Sequence, residues 1–294
     1  MPAHADTERG RALLALLTGA CVIGLAPILV RLAQAGPASA GFWRLLFSLP
    51  LLATLATRSA GGIGRPSRYA WLAGIAFALD LGFWHYGIAN TSVGKATVLT
   101  NLTPVVVTAV AWIFLKQRPA GLFLVAVALA VAGAWIMAVA KGVGEVGPNP
   151  LLGDAFSLAT AIWYALYFLA VSAARRRDAA MRVMFWSSLA GAPLLLIAAL
   201  LLGEQIVPAA AAGWAACVGL GVVHVAGQGS IAWALGRLPP ATASVTVLIQ
   251  PVVAGALGWL LFNELFSAWQ TVGAGVALSG VVLAQWASRT KLGD

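Results

Sequence analysis

Charge is what this sequence has least of. Only 9% of its 294 residues are Asp, Glu, Lys or Arg, against roughly 25% in a soluble domain. So few charged groups cannot cover a water-facing surface, and 61% of the residues are hydrophobic. A soluble fold is excluded, and the class is a polytopic membrane protein. Cysteine is almost missing as well. Cys21 and Cys217 each lie inside an apolar run, which excludes a disulfide framework and a thiolate metal motif. His85 and His224 have no second ligand at metal spacing, so no metal and no cofactor are expected. The start of the chain is expected to be a first transmembrane helix rather than a signal peptide. Arg9 and Arg11 precede an apolar run, but it continues to about Val30 without a small-residue cleavage site, as a first transmembrane helix does. The net charge of +9 does not point to nucleic acid, because no soluble module carries it and basic residues of membrane proteins collect in cytoplasmic loops.

What the chain does contain is apolar segments. A span needs about 20 apolar residues. Ten fit here, at about 11–33, 39–57, 69–90, 94–115, 120–140, 151–173, 182–202, 211–235, 241–262 and 269–288. The breaks fall at Gly36-Pro37, Gly61-Gly62 with Pro66, Arg118-Pro119, Gly147-Pro148, the arginines 175–177, and Pro239-Pro240. With the N-terminus inside, 14 of the 18 Lys and Arg residues fall in inner segments, and only Arg31, Lys95 and Lys141 lie outside. Arg44, within the second span, is the remaining one. That bias predicts cytoplasmic N- and C-termini.

One stretch recurs. Ala96–Trp112 returns 147 positions later as Ala243–Trp259, with seven identities and no gap, including Pro104/Pro251, Val105/Val252 and Val106/Val253. The same offset matches Gly74/Gly221, Gly82/Gly229, Ala130/Ala277 and Gly133/Gly280. It carries spans 3, 4 and 5 onto 8, 9 and 10. Five spans per unit is odd, so the second copy enters the membrane from the opposite side. The expected fold is therefore an all-α integral membrane protein, with residues 1–146 and 147–294 as two inverted five-helix repeats. Such repeats are a transporter architecture, with the site near the midplane between them. Gly74, Ala78 and Gly82 on span 3, and Gly275 and Ser279 on span 10, are small residues four apart. They predict close helix packing or a dimer face, so the chain is expected to be a monomer or a homodimer.

At this point the sequence resembles a known family. Ten helices in two inverted fives, Arg31 and Arg44 around the first two spans, the Pro104 and Pro251 helices, and the Phe262-Asn263-Glu264-Leu265 turn before a glycine-rich last span are similar to the drug/metabolite transporter superfamily, EamA-like branch. The resemblance covers essentially the whole chain. Within that branch the chain is most similar to bacterial exporters of aromatic amino acids and paraquat. This implies efflux across the bacterial inner membrane by alternating access, without ATP. Gln117 stands where the second half has Glu264, a departure from the acidic residue usual there.

Candidate site residues are the polar and aromatic groups deep in spans. An intramembrane ionisable group is costly and faces the protein interior or water. Asp80, near the middle of span 3, is expected to receive a substrate ammonium group or to exchange a proton. His224 is central in span 8, and His85 lies toward the outer end of span 3. Trp163, Tyr164 and Tyr167 sit at the middle of span 6, away from the interfaces where aromatics gather. Trp163 and Tyr167 are four apart and share a face, so Trp163 is expected to stack on an aromatic or cationic substrate. Trp84 and Tyr86 read as interfacial belt residues. Pro104 and Pro251 are expected hinges. A mid-helix proline frees a backbone carbonyl, here those of Thr100 and Thr246, to accept from substrate or water. Asn101 and Gln250 beside them are expected to line the cavity, with Gln228 a further candidate.

The leading expectation is a secondary exporter of aromatic or other amphipathic amino acids, a small-molecule carrier in the lipid bilayer. Its competitor is a proton-coupled efflux pump for cationic drugs such as paraquat. Related small multidrug pumps carry a glutamate in the first span, which has no acid here, so Asp80 would serve. A phosphate-sugar carrier is disfavoured because basic residues are missing from the midplane. An enzyme is disfavoured too: Ser230 lies about 9 Å along the helix axis from His224, beyond hydrogen-bond reach.

Overall fold

The computed structural model describes residues 2–90, 99–114, 116, 118–140, 148–262 and 267–290, and no strand occurs among them. Gln117, Lys95, Lys141 and residues 263–266, with Glu264, lie outside the described residues. The first span is α1 (Pro2–Ile23) and α2 (Ala26–Leu32), then α3 (Pro37–Thr57) and α4 (Arg68–Asn90). α5 (Thr103–Ile113) and α6 (Gly121–Ala140) complete the first half. The second half begins with α7 (Pro150–Ala174) and α8 (Ala180–Leu201). α9 (Ala211–Val223), a π-helical turn (His224–Gln228) and α10 (Gly229–Leu235) make one span. α11 (Pro240–Thr246), α12 (Ile249–Phe262) and α13 (Ala268–Thr290) follow. Among the described residues, five helical stretches are long and apolar enough to cross a membrane: Thr7–Val30, Pro37–Thr57, Pro150–Ala174, Ala180–Leu201 and Ala211–Leu235. Large apolar side chains face outward on helices of both halves, among them Leu14, Trp71, Trp135, Ile197 and Val282. Lipid is the solvent that such a surface suits.

Proline divides the spans more sharply than hydropathy suggests. Spans 4 and 9 read as continuous helices, but each is broken by a two-residue turn, at 101–102 and at 247–248. Each following helix starts with its proline in the first positions, where a missing N–H costs no hydrogen bond. Around the breaks the backbone bonds tighten, with Leu102 N donating to Leu99 O (3.2 Å) and Gln250 N to Val247 O (2.9 Å). The Thr100 carbonyl, expected to be free, is not. Thr100 O accepts from Thr103 Oγ1 at 2.8 Å. Four residues before Pro251 stands Val247, rather than Thr246, and its carbonyl is the one that Gln250 takes. The first span breaks in the same manner at Gly24-Leu25, just before Pro27.

Small residues set which helices pair. α6 lies along α13, α4 packs on α7 and α8, α3 on α8 and α9, and α1 on the π-helical turn and α10. A Cβ on Gly133 would come within 2.6 Å of Ala277 Cα, and one on Gly280 within 2.7 Å of Ala130 Cα. The stripe on span 3 is likewise used inside the chain: Gly74 abuts Ser187 and Ala190 of α8, and Gly191 comes back against Gly74 O and Ala78. Gly275 has no neighbour within 4 Å. The packed face of α13 therefore runs through Ala277 and Gly280 instead of Gly275 and Ser279. Between helices already in lipid there is no hydrophobic drive, so close backbone approach supplies the association through dispersion.

Candidate functional site

Five elements bring polar side chains to one buried place. α3 supplies Arg44, α4 supplies Phe77 and Asp80, and α7 supplies Tyr164 and Tyr167. The π-helical turn supplies His224 and Gln228, and α12 supplies Gln250. Arg44 is 4% exposed and Asp80 7%. The Arg44 guanidinium carbon lies 5.4 Å from the centre of the Phe77 ring, a cation–π distance. Phe77 in turn meets Tyr167 (4.7 Å between centroids) and His224 (5.3 Å). Tyr164 and Tyr167 stack nearly parallel, 8° apart and 6.0 Å between centroids. Tyr167 Oη donates to Gln228 Oε1 at 3.4 Å, and the Tyr164 hydroxyl faces the amides of Gln228 and Gln250. The charges of Arg44 and Asp80 act on each other and on both tyrosines.

The polar groups of this cluster are not all satisfied by one another. Among the described residues Arg44 Nε, Gln250 Nε2 and His224 Nδ1 are buried without a hydrogen-bond partner. Buried polar groups are nearly always paired, and an exception needs an explanation. His224 Nε2 meets Ser188 Oγ of α8 at 3.0 Å. Ser230 turns away and donates to Ala226 O. The π-helical turn inserts an extra residue into the ladder, and such turns are frequent at functional sites. Here it carries both His224 and Gln228.

A second polar cluster sits at the end of the molecule where α3 begins. Glu204, in the loop after α8, accepts from Ala38 N (3.1 Å), Ser39 N (3.0 Å) and Ser39 Oγ (3.0 Å). The Tyr86 hydroxyl of α4 also donates to it. Glu204 thereby caps the N-terminus of α3, where the helix dipole favours an anion. Gly36 is needed there, since a Cβ would meet the Glu204 carboxylate. Gly36 N donates to Gln205 O (2.8 Å) and Trp43 Nε1 to Ile206 O (2.8 Å), so the loop is stitched to α3.

Comparison with known proteins decides the family. The model of the EamA-like transporter family matches residues 10–139 and 151–286, nearly the whole chain in two stretches. The chain belongs to the EamA-like transporter family. This EamA-like protein is 24% identical over 271 residues, 92% of its length, to an uncharacterized transporter of Archaeoglobus fulgidus, covering 94% of that relative. It is 27% identical to a protein of Streptantibioticus cattleyicolor named "Probable terminal-alkyne amino-acid exporter", over 68% of this chain and 66% of the other. It is also 27% identical to the pseudopaline exporter CntI of Pseudomonas aeruginosa, over 75% and 74% of the two chains. A solved structure at 18% identity superposes with a TM-score of 0.78, covering 95% of this chain and 98% of that one. That likeness speaks to the fold. Family membership makes the EamA-like protein a membrane transporter, with a small-molecule cargo and the bilayer as its surroundings.

The sequence-based candidates separate into groups. Asp80, Tyr164, Tyr167, His224, Gln228 and Gln250 come together. Trp163 does not join their rings: it is half-buried and pairs with Phe83 at 6.2 Å. The ring that parallels Tyr167 is Tyr164, three residues away. His85 is buried beside Trp84, with the charges of Arg44 and Glu204 as its neighbours. Asn101 is at the turn before α5. Tyr86 is a ligand of the Glu204 cap instead of a belt residue. Arg44, which sequence reasoning set aside as the remaining basic residue within the second span, is buried in this cluster. Glu204 was missed altogether. A lone acid in an otherwise uncharged loop was its only signal.

The cap has a pH signature. Burial by itself would raise the Glu204 carboxyl, but the bonds from Tyr86, Ser39 N–H, Ala38 N–H and the Ser39 hydroxyl outweigh it. They hold the group below the ordinary 4.5. A lowered folded value means stability present at neutral pH and lost as pH falls through that value. Glu204→Gln should therefore lower the thermal midpoint at pH 7 by a few degrees, for about 1–2 kcal/mol given the site's partial exposure. Melting both proteins in detergent from pH 7 downward should show the gap closing below pH 4.5. A gap that persists unchanged at low pH would refute the cap's ionic character.

Proposed function

We propose that the protein is a secondary transporter that exports aromatic or other amphipathic amino acids across the bacterial inner membrane by alternating access. The observation that carries this reading is the parentage of the buried cluster. Arg44 and Asp80 come from residues 1–146, while Tyr164, Tyr167, His224, Gln228 and Gln250 come from 147–294. A polar, aromatic-walled centre shared between two halves is where a repeat-built carrier holds its cargo.

In this reading the halves are inverted five-helix repeats, with both termini cytoplasmic by the Lys and Arg bias. Reciprocal contacts support the repeat. Gly133 rests on Ala277 and its equivalent Gly280 rests on Ala130, the exchange that a two-fold axis between α6 and α13 requires. Gly74 rests on Ala190 and its equivalent Gly221 on Phe47. Positions 47 and 190 stand 143 apart, the same separation as Pro50 and Pro193. The turns before Pro104 and Pro251 break the helical ladder in nearly the same register in both halves, so these prolines are the hinges on which the halves rock. The name of one relative, "Probable terminal-alkyne amino-acid exporter", supports an amino-acid cargo.

Counterflow in proteoliposomes tests the reading. Labelled threonine, methionine and phenylalanine should exchange. Tyr164→Ala should slow phenylalanine exchange about tenfold, the worth of a lost ring stack, and Trp163→Ala should slow it less. Absence of flux with every amino acid would refute the substrate class. Proton-driven efflux of a cationic drug such as paraquat is the second reading, and Asp80 favours it. The buried Arg44 charge opposes it, because a fixed cation repels a dicationic cargo.

A further inference from the structure

We propose that Arg44 is the receptor for the substrate's carboxylate and that Arg44 and Asp80 together form a clamp for a zwitterion. The inference rests on the transport reading above and deepens it by naming the group that selects the cargo.

Two ionisable groups of opposite sign, Arg44 and Asp80, are buried on adjacent packed helices, yet among the described residues they form no ion pair. Among the described residues Arg44 Nε is buried with no hydrogen-bond partner, and Asp80, 7% exposed, makes no ion pair with it. A buried charge without a direct partner costs several kcal/mol. Direct contact between the two would remove that cost, and both lie on adjacent packed helices. Their separation instead leaves each charge with an unmet need, an acceptor for Arg44 and a donor for Asp80. An α-amino acid brings both, a carboxylate at one end and an ammonium at the other.

The remaining groups fit the same cargo. Arg44 is held by its cation–π contact with Phe77 at 5.4 Å, and a positioned guanidinium presents a fork that matches a carboxylate. Gln250 Nε2 is a second buried donor without a partner. It comes from the other half of the chain and faces Tyr164, the residue that also feels both charges. Excess donors on one side and a lone carboxylate on the other are the complement of a dipolar ion. A purely cationic or purely anionic ligand satisfies only one of them. The Tyr164 and Tyr167 rings beside the clamp offer apolar faces to the rest of the cargo.

The test separates binding from transport. Purified protein is melted in detergent with phenylalanine, methionine or threonine, and with each compound's decarboxylated amine and deaminated acid. At least one zwitterion should raise the midpoint, while its matched amine and acid should not. Loss of either end should weaken apparent affinity about a hundredfold, and the methyl ester should behave as the amine does. An amine, acid or ester that stabilises as well as its parent amino acid would overturn the clamp, as would no stabilisation by any zwitterion. These measurements need no variant. Arg44→Gln adds to them: it should abolish the preference for the zwitterion over the amine. Arg44→Lys should restore part of that preference. An Arg44→Gln protein that keeps full zwitterion selectivity would show that Arg44 is structural and would sink the proposal. Zwitterion binding without counterflow would leave the clamp standing and refute the transport reading.

Discussion

Gly133→Leu and Gly280→Leu, made singly, should each eliminate the folded protein from detergent extracts of membranes. The reason is that both glycines meet backbone. A Cβ at Gly133 would lie 2.6 Å from Ala277 Cα and 2.6 Å from Gly273 O, and one at Gly280 would lie 2.7 Å from Ala130 Cα. Nothing flexible lines either contact, so a side chain can be admitted only by pushing α6 and α13 apart along their length. Overpacking typically costs about 1–3 kcal/mol where side chains can adjust. Here they cannot, and about 3 kcal/mol or more is expected. In lipid the separated faces regain no hydrophobic compensation. Gly275→Leu is the matched control, on the same helix with no neighbour within 4 Å, and should accumulate normally. Fluorescence-detected size-exclusion chromatography reads all three. Wild-type peaks and midpoints for both core variants would show that the α6–α13 contact is not close-packed.

Asp80→Asn should reduce transport about a hundredfold or more, in exchange and in gradient-driven uptake alike. Asparagine keeps the shape, and it removes a buried charge that makes no ion pair among the described residues, so the folded yield should survive. Under the proposed clamp, what is lost is the anion that would hold the substrate's ammonium, an interaction worth about 3–5 kcal/mol when one partner is deleted. The two transport modes discriminate between roles. An ammonium receptor is needed in both. A proton carrier is needed only when a pH gradient drives the flux, so preserved exchange with lost gradient-driven uptake would favour the drug/proton antiporter reading. Full activity in both modes would remove Asp80 from the site.

Local chemistry made much of this legible in the linear chain. Scarce charge and long apolar runs marked the membrane class, and the 147-residue offset aligned Ala130 with Ala277 and Gly133 with Gly280. The offset did not show that these four residues rest on one another. The face argument paired Trp163 with Tyr167, but side-chain direction and neighbouring helices put Tyr164 beside Tyr167 and turned Trp163 toward Phe83. Span 8 read as one helix because a single π-helical turn barely disturbs an apolar pattern. Arg44 was placed within the second span and counted on neither side of the membrane. Burial of such a residue depends on which helices surround it, and periodicity carries no record of that.

By itself, then, the sequence determined the solvent this protein requires and the loops that separate its spans. These follow from composition, proline and glycine within a few residues of each point. Only the tertiary structure decided which charges are desolvated together, which rings stack, and that Glu204 closes the start of α3. Those outcomes depend on contacts between residues far apart in the chain. Arg44 and Gln250 both approach Tyr164 only because helices from the two halves meet there.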